Sequence, residues 1–208
     1  MLPKLQYISQ GSSPDVHIQN IDAALKAGVK LIQLRLKNIS VDSYTEYAMK
    51  AKALCEKFDA QLIINDNPIV ADASKADALH LGLDDVSVLE AKKVIPNKVI
   101  GGTANTFEHI KQRCAEGVNY IGLGPFRFTT TKEKLSPILG VNGYVDVIQK
   151  MKSEKLTTPI YAIGGIELND IEAIINTGVY GVAVSGLITN SNNKEHLVKE
   201  INKILYHA

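Results

Sequence analysis

The sequence predicts a single (β/α)8 barrel domain spanning residues 1–208. Three observations carry the prediction. Apolar runs of strand length alternate with segments of helical periodicity eight times along the 208 residues. Glycines or short polar clusters punctuate the series, and no linker, low-complexity tract or charge block interrupts it. The length suffices for one sizeable core, and a doubly wound open sheet, the competing architecture, typically has fewer strands.

Taken in order, KLQYIS at 4–9 reads as the first strand, and residues 16–27 as a helix with Ile18, Ile21, Ala24 and Leu25 at helical spacing and Gly28 as its stop. LIQLRLK at 31–37 is the second strand, followed by a helix over 41–58 with Ala48, Ala51, Leu54 and Cys55 on one face. QLIIND at 61–66 precedes a short helix to about Lys75, and ALHLG at 78–82 precedes a helix over 86–94. VIGGTAN at 99–105 leads into a helix over 107–116 that stops at Gly117. YIGLGPF at 120–126 is the sixth strand, with its helix over 143–152. PIYAIGG at 159–165 and GVAVSG at 181–186 complete the set, with helices over 168–176 and 194–207.

The formal net charge of +1 argues against a general nucleic-acid or membrane-surface binder, either of which usually carries a basic excess. No apolar run reaches the length of a membrane span, and MLPKLQYISQ lacks the long apolar region of a secretory signal. The two cysteines, Cys55 and Cys114, fall in helical segments without a CxxC or paired histidines, so neither a disulfide framework nor a zinc site is expected. The cytoplasm is the expected compartment. A homo-oligomer is left open, because periodicity alone does not separate exposed apolar helix faces from core faces.

In a barrel of this class chemistry sits where strands end and βα loops begin. The most telling such end is YIGLGPFRFTTTK, residues 120–132, where a buried strand breaks at Gly124-Pro125 and delivers Thr129, Thr130, Thr131 and Lys132. Hydroxyls and one cation with little bulk beside them suit an anionic ligand. Gly164-Gly165 and the span from Gly181 to Gly186 end the next two strands and let backbone N–H groups approach a phosphate. Period two puts Gln33, Arg35 and Lys37 on one face of the second strand, pointing into the barrel. There they form either a salt-bridge plug or a cationic cradle for an anionic substrate. Asp66 ends the third strand, and Asp84 and Asp85 follow the fourth. Carboxylates at neighbouring strand ends suggest a Mg²⁺ site shared with a polyphosphate, with a helix cap as the plainer role for Asp66. Thr103 and Asn105 alone carry little weight. His80 reads as a packed strand residue, His17 as lying at a helix start, and no nucleophile–base spacing stands out.

These motifs occur in an order that resembles the thiamine-phosphate synthase family over nearly the whole chain: QLRLK at 33–37, ND at 65–66, HLGLDD at 80–85, GGTANT at 101–106, GLGPFRFTTTK at 122–132, AIGGI at 162–166 and GVAVSGLI at 181–188. The resemblance implies a (β/α)8 barrel that joins hydroxymethylpyrimidine diphosphate to a thiazole phosphate. By position it implies that Gln33 faces the pyrimidine and that Arg35, Lys37, Asn65, Thr103 and Lys132 face the diphosphate. It also implies that Asp66 and Asp85 hold Mg²⁺, that Thr129 and Thr131 receive the thiazole, and that Gly165 with the Ser185–Gly186 backbone binds the thiazole phosphate. Arg35, Lys37 and Lys132 are the residues expected to carry catalysis. Leu83 stands where the family usually has Gln, Asn105 where it often has His, and Gly186 where it often has Ser.

Overall fold

The structure, a computed structural model, describes residues 2–128 and 137–207. Eight parallel strands close on themselves in chain order: β1 (Leu5–Ile8), β2 (Leu31–Leu34), β3 (Gln61–Asn65), β4 (Ala78–Leu81), β5 (Val99–Ala104), β6 (Tyr120–Leu123), β7 (Ile160–Ile163) and β8 (Gly181–Val184). Closure comes from β1 on β8, with Leu5 opposite Val182 and Tyr7 opposite Val184. The outer layer is α1 (Pro14–Lys26), α2 (Val41–Lys57), α3 (Pro68–Ala73), α4 (Val88–Val94), α5 (Phe107–Glu116), α6 (Gly140–Ser153), α7 (Ile171–Asn176), the short α8 (Gly186–Thr189) and α9 (Lys194–His207). Side-chain caps start the first five helices: Ser13 for α1, Ser40 for α2, Asn67 for α3, a reciprocal Ser87–Glu90 box for α4, and Thr106 for α5. Among the described residues no helix is long and apolar enough to cross a membrane.

Strand alternation divides the apolar residues into two compartments. Ile32, Leu34, Leu62, Ile64, Leu79 and Leu81 face outward and pack under the helices. Ile8, Leu31, Ile63, Ala78, Tyr120, Tyr161 and Ala183 fill the barrel interior. Tyr120 meets Tyr161 edge-on at 5.4 Å between ring centroids. The ring fits only because β5 contributes Gly101 opposite it; a Cβ there would lie 2.0 Å from Tyr120 Cζ. Large and small residues on neighbouring strands thus interlock into a plug, which leaves the strand ends above it to form a site.

Several boundaries differ from the sequence prediction, and those next to the site matter most. β2 ends at Leu34, not at Lys37. Its ladder stops because Tyr44 Oη takes the Leu34 carbonyl at 2.8 Å and Ser9 Oγ takes the Arg35 N–H at 3.1 Å. Only Gln33 of the predicted row is therefore inside the barrel; Arg35 and Lys37 belong to the loop above it. The sixth strand ends at Leu123, before a cis Gly124-Pro125 peptide, and its helix begins at Gly140, three residues before the predicted Gly143. The strand predicted over 181–186 ends at Val184, and Gly186 opens α8, an element the sequence reading left out.

Candidate active site

The C-terminal ends of the strands open onto a cleft of about 770 Å³. Gln33, Arg35, Lys37, Asn65, Thr103, Gly165, Ser185 and Gly186 all line it. A smaller cavity of about 420 Å³ lies at the other end of the barrel, beside Met151 and Tyr180, away from all of these residues. Thr129, Thr130, Thr131 and Lys132 lie outside the described residues.

Asp66 and Asp85 are not among the residues that line the cleft; they adjoin it after β3 and β4, next to Asn65 and Lys37, which do line it. Asp66 follows β3 with a left-handed φ of 67° and anchors its N–H on the His80 carbonyl at 2.8 Å. Its carboxylate is not a helix cap: Asn67 Oδ1 takes that part, accepting from the Ile69 and Val70 N–H groups at 3.0 and 3.1 Å. Lys37 Nζ instead donates to Asp66 Oδ2. Asp85 Oδ2 accepts the Gly82 N–H at 2.6 Å, which folds the β4 turn so that the two carboxyl groups come within hydrogen-bonding reach. Burial, and then the neighbouring Asp66, push the Asp85 carboxyl up to about 6. Two hard oxygen donors that resist being charged together are what a small divalent cation relieves, so the pair fits Mg²⁺. No group of three or more His, Cys, Asp or Glu able to hold a metal occurs among the described residues. A cation here would have two carboxylates, leaving further positions for phosphate oxygens and water.

Behind this edge lies Arg113, 3% exposed, a residue the strand-end rule passes over because it sits on a helix. Its guanidinium donates to the Gly82 carbonyl at 2.6 Å, the Thr103 carbonyl at 3.2 Å and Glu116 at 2.7 Å. One buried cation thereby fixes the ends of β4 and β5. His80 is the packed residue expected, its ring nitrogens 3.1 Å from Tyr120 Oη and 3.0 Å from Thr103 Oγ1. Asn105 donates its amide to the Gly124 carbonyl and so ties β5 to the β6 turn.

The opposite side of the cleft is built from backbone. Gly165 has φ +67°, and a Cβ on it would stand 3.0 Å from Arg127 Cβ and 3.2 Å from the Phe128 carbonyl oxygen. Both conformation and space disfavour a side chain there. Arg127 is committed elsewhere, to Asp170 by two bonds of 3.0 Å and to the Gly165 carbonyl at 2.7 Å. Gly181 does not belong to this side. It starts β8 at the far end of the barrel, where a Cβ would lie 2.2 Å from the Lys4 carbonyl oxygen, so close strand packing explains it.

Among the polar cleft residues that the sequence reading did not assign to the site are Ser9, Gln10, His17, Glu167 and Asn190. The strand-end rule applied to β1 would have found the first two. His17 was reachable only through the fold, which turns the start of α1 back over the strand ends. Its Nδ1 lies 2.8 Å from Ser9 Oγ, and burial, reinforced by the Arg35 charge, holds its pKa below the usual imidazole value despite a bond to the Gly11 backbone.

The family model described as thiamine monophosphate synthase matches residues 6–188. The thiamine-phosphate synthase of Flavobacterium johnsoniae is 51% identical over 207 residues, covering 99% of this chain and 98% of that one. The thiamine-phosphate synthase of Bacteroides fragilis is 41% identical over 202 residues, covering 97% and 98%. Among solved structures, thiamine phosphate pyrophosphorylase from Pyrococcus furiosus superposes with a TM-score of 0.84 at 26% identity, covering 98% of this chain and 96% of that one.

Proposed function

The chain belongs to the thiamine monophosphate synthase family and is a transferase that forms thiamine phosphate, and on that premise we propose how its cleft does so. The substrates are hydroxymethylpyrimidine diphosphate and a thiazole phosphate, the latter either plain or carboxylated, and the products are thiamine phosphate and diphosphate. The carboxylated form would also lose CO₂. The observation that carries this reading is the polarity of the cleft. Cations and paired carboxylates gather after β2, β3 and β4, and a glycine-rich wall faces them after β7 and β8.

The bond between the pyrimidine methylene and the diphosphate oxygen breaks, and its electron pair leaves on the diphosphate. The amino-substituted ring delocalises the positive charge left on the methylene. The thiazole nitrogen then gives its lone pair to that carbon, closing the C–N bond. This nitrogen carries no proton, so the step needs no general base, in keeping with a His80 that is spent on packing. Arg35 and Lys37 neutralise charge building on the leaving group, and Lys132 joins them. Gln33, 2% exposed at the cleft floor, orients the pyrimidine, Asn65 and Thr103 position the diphosphate, and Thr129 and Thr131 position the thiazole. Asp66 and Asp85 would hold Mg²⁺, which supplies electrostatic stabilisation of the diphosphate when bound. Gly165, Ser185 and Gly186 receive the thiazole phosphate. Cys55 and Cys114 are both unpaired, the state a reducing compartment maintains, and we assign the enzyme to the cytoplasm.

A thiazole tautomerase would use the same thiazole site with no need for a diphosphate cradle. Supplying a thiazole phosphate alone separates the two: the synthase leaves it unchanged until the pyrimidine diphosphate is added. Asp66→Asn, which tolerates the left-handed backbone at that position, and Lys132→Ala are each expected to lower turnover by roughly 10²–10³ while leaving the melting temperature nearly unchanged. Near-normal turnover in both variants would remove the assigned roles.

A further inference from the structure

The wall between β8 and β1 is more than bare backbone. Two side-chain amides converge there from opposite sides of the barrel closure: Gln10 follows β1, and Asn190 ends α8. A Cβ at Gly186 would stand 3.4 Å from Asn190 Nδ2, and 3.9 and 4.0 Å from Gln10 Oε1 and Nε2. Both amides therefore overhang the same side-chain-free position, and both line the cleft. Ser185 Oγ donates to Gln10 Oε1 at 2.9 Å, which occupies the amide oxygen and leaves the NH₂ group as the end able to donate. The loop carrying Gln10 is anchored on both sides. Asn20 Nδ2 donates to the Gln10 carbonyl at 2.8 Å, and Ser9 is bonded to His17. Arg35 and Lys37, the cations lining the cleft among the described residues, both follow β2, the neighbour of β1; Gln10 and Asn190 add neutral donors on the β8 side of β1.

We infer that Gln10 and Asn190 are binding residues for the phosphate monoester of the thiazole substrate, donating side-chain N–H groups to its oxygens. The inference rests on the proposed function and assigns the two phosphorylated substrates to chemically different grips. The diphosphate meets cations; the monoester meets amides and backbone. Amide donors are suited to holding a group that must stay on the product, because they orient it without adding to the charge that drives the diphosphate to leave.

Gln10→Glu and Asn190→Ala test this. The first is nearly isosteric and replaces donors with a repelling carboxylate; the second trims an exposed side chain, so it leaves folding intact. Calorimetric affinities for the thiazole phosphate, the thiazole alcohol lacking phosphate, and the pyrimidine diphosphate are compared in the full chain. Each variant is expected to bind the thiazole phosphate about tenfold more weakly, with the pyrimidine diphosphate within about twofold and the thiazole alcohol unaffected. Unchanged affinity for the thiazole phosphate in both variants overturns the inference. So does an equal loss for the alcohol or for the pyrimidine diphosphate, which would mark general damage to the cleft. A wild-type chain that binds both substrates yet forms no thiamine phosphate overturns the functional reading, and the three affinities then still decide whether the amides grip phosphate.

Discussion

His17 shows how far a single residue's role depends on its surroundings. In sequence it reads only as a histidine at the start of a helix. In the fold it is a half-buried imidazole bonded to Ser9, which in turn receives the Arg35 N–H. Its pKa is lowered by burial and by the Arg35 cation, so below about pH 6.5 the unfolded chain takes up a proton that the folded chain resists. Stability from this site is present at neutral pH and is lost as pH falls through that region. The drop in melting temperature between about pH 7.5 and about pH 5.5 should be smaller in His17→Gln than in the wild type. Equal drops would show that the imidazole is solvated in both states. That Asp66 and Asp85 come together was legible in sequence because each follows one of two neighbouring strands. Arg113 was not, because a helical arginine reads as solvated surface until the fold shows three acceptors around it.

Elements were legible to the extent that their periodicity reflects burial. All eight strands and their order follow from apolar runs, because both faces of a barrel strand are covered. Ends were less legible, because side chains distant in sequence set them. Tyr44 on α2 donates its hydroxyl to the Leu34 carbonyl at 2.8 Å and the Asn65 carbonyl at 3.1 Å, joining the ends of β2 and β3. Tyr144 on α6 does the same for its neighbours, donating to the Leu123 carbonyl at 2.6 Å and accepting from the Ile163 N–H at 3.4 Å. Each tyrosine stops two strands at the level where the cleft begins. Tyr44→Phe leaves two buried carbonyls short of a donor and should cost about 1–3 kcal/mol in urea unfolding. Because Arg35 and Asp66 follow the two strands so joined, the variant should also raise the KM for the pyrimidine diphosphate more than that for the thiazole phosphate. Equal changes in both KM values would mean that Tyr44 supports the barrel as a whole and not that edge.

At the scale of the molecule, the aromatic plug and the glycines opposite it divide the barrel into a packed floor and an open top. The charges on that top are unevenly distributed, with Arg35, Lys37 and the adjoining Asp66 and Asp85 after β2, β3 and β4, and a glycine-rich, amide-bearing wall after β7, β8 and β1 where Glu167 is the charged side chain that lines the cleft among the described residues. β6, whose end the sequence marked as suited to an anionic ligand, lies between these sides. Such a division serves a reaction in which one phosphate group must leave and the other must stay. The most direct test follows both groups in one mixture by phosphorus NMR, with the purified chain, Mg²⁺, hydroxymethylpyrimidine diphosphate and the thiazole phosphate. Thiamine phosphate and inorganic diphosphate should appear in equal amounts, and only when both substrates are present. Diphosphate released without thiamine phosphate, or a thiazole phosphate rearranged with the pyrimidine diphosphate intact, would contradict the account.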